Sequence, residues 1–322
     1  MRFVVYGAGA IGGVVGGRLY EHGHDVTLIA RGEHLRVIQS VGLRVDSPAG
    51  SVTLSIPAAS GPADIDWTGD EVVMLAVKGQ DTVGALEALR AAAPPTIAVV
   101  CLQNGVANER EALRRFARVY AVPVMSPTGH LEPGVVQAWS HPLAGIYDIG
   151  RYPSGVDETA QGFAAAMSES GFVSEPRADV MRWKYRKLLM NLGNSVQALF
   201  ERADGADDLA RAVRAEGEAV LVAAGIEVAT AEEDRERRGS ILQLGPIEGA
   251  SRGGGSTWQS LARGQGTVET DYLNGEIVLL GRLHGVPTPL NERLQRWMAA
   301  ANLAGAEPGA ADMAEFLAES AG

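Results

Sequence analysis

The sequence predicts two domains, a Rossmann-type α/β dinucleotide-binding domain followed by an all-α domain, and three observations carry that expectation. RFVVYGAGAIGGVVGGRLYEHGHDVTLIAR, Arg2 to Arg31, runs from a β-branched stretch through a glycine turn and an amphipathic helix to a second β-branched stretch. Further strand-like runs recur to about Gly150. From Asp179 onward the period-two alternation gives way to long helical spacing. The boundary is expected near Arg177, giving a nucleotide-binding domain over 1–177 and a helical domain over 178–322.

Within the first unit, Gly7, Gly9 and Gly12 form G-x-G-x-x-G directly after the first strand, the context in which this short motif becomes informative. The loop Gly7, Ala8, Gly9, Ala10, Ile11 and Gly12 is read as a pyrophosphate site, because a helix amino end offers free N–H groups and a positive dipole end to an anion. The second strand ends in Ala30-Arg31 rather than in the acid that would bind a ribose 2′-hydroxyl. Arg31 can pair with a 2′-phosphate, so the expected cofactor is NADP(H).

DEVVMLAV and TIAVVCL are strand-like and deliver Lys78 and Asn104 beyond their carboxyl ends, where open parallel sheets bind ligands. RVYAVPVM, GVVQAW and LAGIYDIG are expected to extend the sheet, QGFAAAMSESG to form a helix, and FVSEPRAD to form a last strand.

The balance of 46% hydrophobic and 21% charged residues over 322 positions is that of a globular protein. A net charge of −11 argues against an extended nucleic-acid surface. The single cysteine, Cys101, lies in an apolar run and points to no disulfide chemistry. The apolar amino terminus breaks into glycines too early for a signal peptide, and no later run is long enough to cross a bilayer, so a cytoplasmic protein with no membrane partner is expected. The six histidines lack ligand spacing, so no metal site is expected. A homodimer is compatible with the sequence, which does not distinguish an exposed apolar helix face from a buried one.

In the second half, MRWKYRKLLMNLGNSVQALF, DDLARAVRAEGEAVLVAAG, VETDYLNGEIVLLGRLHG and NERLQRWMAAANLAG carry helical patterns. AEEDRERRGS is expected to be a solvated helix face, and GASRGGGSTW a mobile or tightly turning loop before a short helix capped near Ser256. In the first of these helices Lys187, Asn191 and Asn194 fall at i, i+4 and i+7, within about 60° of one another, beside a leucine stripe. Asparagine and interior glycine are poor helix formers, so local stability does not explain this polar stripe. The chain has only three lysines, Lys78, Lys184 and Lys187, among 28 lysines and arginines.

GAGAIG, VKGQ, QNG, RKLLMN and ETDYLNG, in this order along nearly the whole chain, resemble the ketopantoate reductase (2-dehydropantoate 2-reductase) family. The resemblance implies NADPH-dependent reduction of 2-dehydropantoate to (R)-pantoate, toward pantothenate. It also implies a catalytic lysine at Lys187, a catalytic and cofactor-proximal acid at Glu269, and cofactor contacts at Lys78 and Asn104. Substrate contacts are implied at Asn104, Lys187, Asn191, Asn194 or Ser195, Ser256 and Thr257. Four positions depart from the family pattern: Ser195 replaces its second asparagine, Thr257 its second serine, and Ser260-Leu261 its Gln-Asp. Alternative readings are a reductase of another branched 2-oxo acid, a D-2-hydroxy acid or a specialised metabolite, and a non-catalytic NADP(H)-binding sensor.

Overall fold

The computed structural model describes residues 1–201, 203–264 and 267–319. The chain divides into two compact units, Met1–Lys184 with Thr230–Arg252, and Tyr185–Ala229 with Gly253–Gly322. The segment from Thr230 to Arg252, expected in the helical half, thus groups with the α/β unit.

Strands β1 (Arg2–Tyr6), β2 (Asp25–Ile29), β3 (Leu43–Ser47), β4 (Gly50–Leu54), β5 (Ala58–Ala59), β6 (Glu71–Leu75), β7 (Ala98–Cys101), β8 (Arg118–Ala121), β9 (Thr128–Gly129), β10 (Val135–Ala138) and β11 (Gly150–Arg151) form two sheets. The larger has the order β11-β8-β7-β6-β1-β2-β5, parallel throughout except for β11 at its edge. Its strands are apolar on both faces because both are covered. Phe3, Val5, Val72, Met74, Ala98 and Val100 pack into one core, and Val4, Tyr6, Val73, Leu75, Val99 and Cys101 into the other, following the two-residue alternation of a strand.

The smaller sheet, β4-β3-β10-β9, departs from expectation. GVVQAW belongs to it rather than to the main sheet, pairing with β3. Helix α1 (Ala10–Glu21) packs against strands of both sheets, and its glycines show how. A Cβ at Gly16 would come 2.6 Å from Leu28 Cδ2 on β2, one at Gly13 2.6 Å from Val136 on β10, and one at Gly17 2.7 Å from Val45 on β3. The repeated glycines therefore let one helix sit close to both sheets.

Helices α2 (Gly32–Val41), α3 (Thr82–Ala92), α4 (Asn108–Leu113) and α5 (Glu158–Glu169) complete the α/β layers. The expected strand FVSEPRAD is not a ladder strand; it makes only isolated bridges, Val173 to Ile146 and Pro176 to Ile149.

The long helix expected from Met181 to Phe200 is two helices, α6 (Val180–Asn191) and α7 (Gly193–Phe200), separated at Leu192. Leu192 keeps helical angles, φ −59° and ψ −31°, but its carbonyl accepts a hydrogen bond from the Asn274 side chain. As the N-cap of α7, Leu192 offers a carbonyl that both opens that helix and receives this tertiary donor.

After α8 (Ala206–Ala223) comes α9 (Ala231–Arg238), the charge run, which exposes Glu232, Arg235 and Glu236 on one face as expected but packs the other. Asp234 is buried, and Arg237 reaches the buried Asp148 with Nε 2.8 Å from Oδ2. A Thr230–Glu233 capping box starts the helix.

The second unit continues with α10 (Ser256–Ala262), α11 (Asn274–His284), α12 (Pro289–Ala304) and α13 (Met313–Ala318). The expected helix beginning at Val268 is instead a 3-10 turn over Thr270–Tyr272 and then α11, with Leu273 between them at φ −115°, ψ −88°. Among the described residues no helix is long and apolar enough to cross a membrane.

Candidate functional site

In the α/β unit the glycine turn follows β1 and opens α1. Gly7 has φ +110°, and a Cβ there would come 2.8 Å from Val77 N of the neighbouring strand end, so both the angle and the space require glycine. A Cβ at Gly12 would overlap the Gly7 carbonyl oxygen. Gly9, the N-cap of α1, meets nothing within 4 Å of a built Cβ. No side chain caps this helix and no acid stands in its first turn. Open space in front of uncapped N–H groups is what a pyrophosphate needs, so the residues present fit a dinucleotide.

The turn is held from two sides. Gly7 and Ala8 donate their N–H groups to Ile29 O, at 3.1 and 3.2 Å. On the other side the Ala8 carbonyl lies 2.7 Å from His34 Nε2. His34 Nδ1 accepts the Gly134 N–H at 2.8 Å, so the proton sits on Nε2, which donates to Ala8. Arg31 is exposed and occupies the N-cap of α2, one turn before His34.

Lys78 and Asn104 are half-buried beyond β6 and β7. Their loops are stitched together from beneath. Gln103 Nε2 donates to Val77 O and to Thr82 Oγ1, both at 2.8 Å. Thr82 Oγ1 donates to Asn108 Oδ1 at 2.8 Å, and Asn108 Nδ2 donates to Asn104 O at 3.0 Å. Lys184, the nearest competitor to Lys187 in the sequence, belongs to this platform. Its ammonium is buried, donates to Gln103 O at 2.6 Å, and lies 2.8 Å from Glu109 Oε1. Burial pushes the Cys101 thiol well above its ordinary value; Glu109 adds to that shift, while Lys184 opposes it.

In the helical unit α6 carries Lys187, half-buried, and Asn191, buried, one turn apart. Asn194 on α7 lies beside the loop that leads into α10: a Cβ at Gly255 would come 3.6 Å from Asn194 Oδ1. Gly255 N–H donates to Gln197 Oε1 at 2.8 Å. Asn194 and Ser256 are therefore brought to one neighbourhood. Gly255, not Ser256, is the N-cap of α10, with no side-chain cap. Gly253 and Gly254 lie against the Trp258 ring, with 2.5 Å from a Gly254 Cβ to Trp258 Cγ, so they admit close packing rather than marking an unattached loop.

Ser195 faces elsewhere. It is fully buried and donates its hydroxyl to Asn274 Oδ1 at 2.8 Å. Thr257 is buried, and its Oγ1 has no hydrogen-bond partner among the described residues. Glu269 is half-buried at the start of the 3-10 turn. Burial lowers the pKa of Arg263, which follows α10, and the Glu269 charge partly offsets this, placing those two side chains within electrostatic reach.

Sequence reasoning missed His34, Asn108, Asn274 and Asn291. Asn274 joins the two best-marked motifs: it accepts from Ser195 and donates to Leu192 O and to Asn291 Oδ1. Asn291 in turn donates to Glu216 Oε2 at 2.8 Å. Asparagine at the start of two apolar helices was the signal available for this pair. Among the described residues no cluster of ligating side chains could hold a metal ion.

The fold and the glycine turn define a Rossmann-type dinucleotide-binding protein with a helical C-terminal unit. The model of ketopantoate reductase PanE/ApbA matches residues 3–153, and that of its C-terminal domain matches 179–302. The chain belongs to the ketopantoate reductase family.

Among curated relatives, a 2-dehydropantoate 2-reductase of Halobacterium salinarum is 32% identical and one of Pyrococcus horikoshii 30%, each over 90% of this chain and 95% and 94% of their own lengths. The crystal structure of a family ketopantoate reductase from Ralstonia eutropha superposes with a TM-score of 0.78 at 29% identity, covering 95% of this chain and 99% of that one. D-mandelate dehydrogenase with NADH and anilino(oxo)acetate shares the fold, with a TM-score of 0.81 at 23% identity, covering 95% and 99%.

Proposed function

We propose that this chain reduces a 2-oxo acid to a 2-hydroxy acid with NADPH, the substrate being 2-dehydropantoate and the product (R)-pantoate, toward pantothenate in the cytoplasm. One observation carries the chemical part: an ammonium at Lys187 and an amide at Asn191 stand one turn apart on α6, in a family whose relatives are named for this reduction. NADPH, when bound, supplies the hydride that reduces the C2 carbonyl. Gly9 and the uncapped start of α1 receive the pyrophosphate, and Arg31 pairs with the 2′-phosphate. Lys78 and Asn104 hold the nicotinamide end, and Glu269 is the acid that the helical unit contributes.

As the carbonyl oxygen takes up negative charge, the Lys187 ammonium stabilises it and then gives up a proton to form the hydroxyl. Arginine at this position could stabilise the charge but not donate, because its pKa is too high. Asn191 hydrogen-bonds the substrate, and Asn194 with Ser256 grips its carboxylate end.

Two of the family departures bear on the acid chosen. The hydroxyl of Ser195 is committed to Asn274, and Leu261, where the family has aspartate, is buried. The test is NADPH oxidation with a panel of 2-oxo acids. Turnover of 2-dehydropantoate supports the proposal. Turnover confined to another acid, such as an aromatic 2-oxo acid, replaces the substrate, and tight NADPH binding without turnover of any acid removes the enzyme reading.

A further inference from the structure

His34 makes the one side-chain bond that ties α2 to the glycine turn among the interactions described for that turn. Its ring is half-buried, packs at 4.3 Å between centroids on His130, and bridges two backbone segments. Nε2–H donates to Ala8 O, and Nδ1 accepts from Gly134 N–H, which precedes β10. Ala8 stands between Gly7, pressed against Val77, and Gly9, the open N-cap of α1. At the other end of the bridge, Arg31 opens the same helical turn that carries His34: Arg31 O accepts the Leu35 N–H at 3.3 Å. The two positions that a phosphorylated dinucleotide must satisfy together, Gly9 and Arg31, are thus linked twice, through Ile29 O, which receives the Gly7 and Ala8 N–H groups two residues before Arg31, and through this imidazole, which alone among the described interactions reaches the helical turn that Arg31 opens.

We propose that His34 is a positioning residue for cofactor choice: it holds the Arg31 turn in register with the glycine turn, so that pyrophosphate and 2′-phosphate are bound at once. This rests on the reading of Arg31 as the 2′-phosphate residue. A nucleotide without that phosphate uses only the glycine turn and depends less on the bridge. Burial lowers the pKa of the ring, with the bond to Ala8 opposing, and so favours the neutral form in which Nδ1 accepts, as the bridge requires.

Side-chain geometry supplies graded probes. His34→Gln can place an amide N–H near the Nε2 position and keep the bond to Ala8. His34→Asn can place an oxygen near Nδ1 and keep only the bond to Gly134. His34→Ala keeps neither. Dissociation constants for NADPH and NADH are read from the fluorescence of the bound nicotinamide, which needs no turnover, and KM and kcat follow with the preferred 2-oxo acid. Relative to wild type, Ala and Asn are expected to weaken NADPH about tenfold and NADH no more than about threefold, with Gln within about threefold for both. The loss is expected in KM for NADPH, with kcat at saturation changing less than about twofold.

Equal weakening of the two cofactors by His34→Ala, or an Asn variant that keeps wild-type discrimination while retaining only the Gly134 bond, overturns the proposal. If His34→Ala does not fold, the Asn and Gln pair decides alone. Arg31→Ala separates the underlying reading: if it lowers the NADPH preference while the His34 variants do not, only this inference falls. If Arg31→Ala leaves the preference unchanged, the 2′-phosphate assignment and this inference fall together.

Discussion

Lys184 and Glu109 form a buried ion pair, Nζ to Oε1 2.8 Å, beneath the loop that carries Asn104. The ammonium also donates to Gln103 O, while neither Glu109 oxygen has an aligned hydrogen bond among the described residues. Such a pair gains little net stability, but removing one partner leaves the other charge stranded. Lys184→Met is therefore expected to cost roughly 3–5 kcal/mol in denaturant unfolding, and Lys184→Met with Glu109→Gln markedly less. If the double variant loses as much as the single, the two groups are not coupled.

The Asn274 network yields a contrasting prediction. Asn274→Leu removes the partner of Ser195 Oγ, Leu192 O and Asn291 Oδ1 at once, all buried, and is expected to lower stability by about 2–4 kcal/mol. Ser195→Ala removes one hydroxyl whose proton already goes to Asn274, and should cost about 1 kcal/mol without raising KM for the 2-oxo acid. A large rise in KM would return Ser195 to the substrate contacts, where the family resemblance put it.

Much of this was legible in the chain and some was not, for reasons that particular residues make plain. The turn from Tyr6 to Gly12 was readable because backbone approach admits nothing but glycine at Gly7 and Gly12, a constraint local in sequence. The small sheet was not: β4 is largely exposed, β3 carries Arg44 and Asp46, and β10 has the same alternation in either sheet. The polar stripe of α6 was visible, but the break at Leu192 was not, and the amide that bonds the Leu192 carbonyl there lies 82 residues away. The burial of Lys184 and the bridge of His34 are likewise long-range: Glu109 on α4 and Gly134 before β10 are distant in sequence and leave no trace in the spacing around either residue.

His34 also gives a pH dependence. Burial lowers its pKa, with the bond to Ala8 opposing that shift, so the folded state favours the neutral ring relative to the free chain. The stability supplied by its two bonds should be complete above the ordinary histidine value near ~6.5 and be lost as pH falls through the lowered folded value, since protonation puts an N–H against the Gly134 N–H. The titratable ring packed on it is His130, with Arg31, Glu33 and Arg36 on or beside its own helix. Comparing thermal midpoints of wild type and His34→Gln between pH 8 and pH 5, about the range over which histidine titrates, cancels the histidines that do not touch this ring, and His130→Gln in both backgrounds removes the one stacked on it. Wild type should fall further, and parallel curves would mean that the ring is not held neutral.

Lys187 bears the heaviest chemical demand. Its proposed contribution exists only while charge develops on the carbonyl oxygen, so truncation should act on kcat more than on binding. Lys187→Ala is expected to lower kcat by about 10²–10⁴-fold, the usual range for a lost general acid, with the NADPH dissociation constant within about threefold of wild type. Lys187→Arg keeps the charge and loses the transferable proton, so it should recover substrate KM without recovering kcat. Its residual rate should rise toward low pH, where solvent can supply the proton, while the wild-type rate stays governed by the lysine. Asn191→Ala, one turn further along α6, should instead raise KM for the 2-oxo acid and leave that pH profile in place. A Lys187→Arg enzyme as fast as wild type would show that charge stabilisation suffices and that the proton comes from elsewhere. A Lys187→Ala enzyme with full kcat would remove Lys187 from the chemistry.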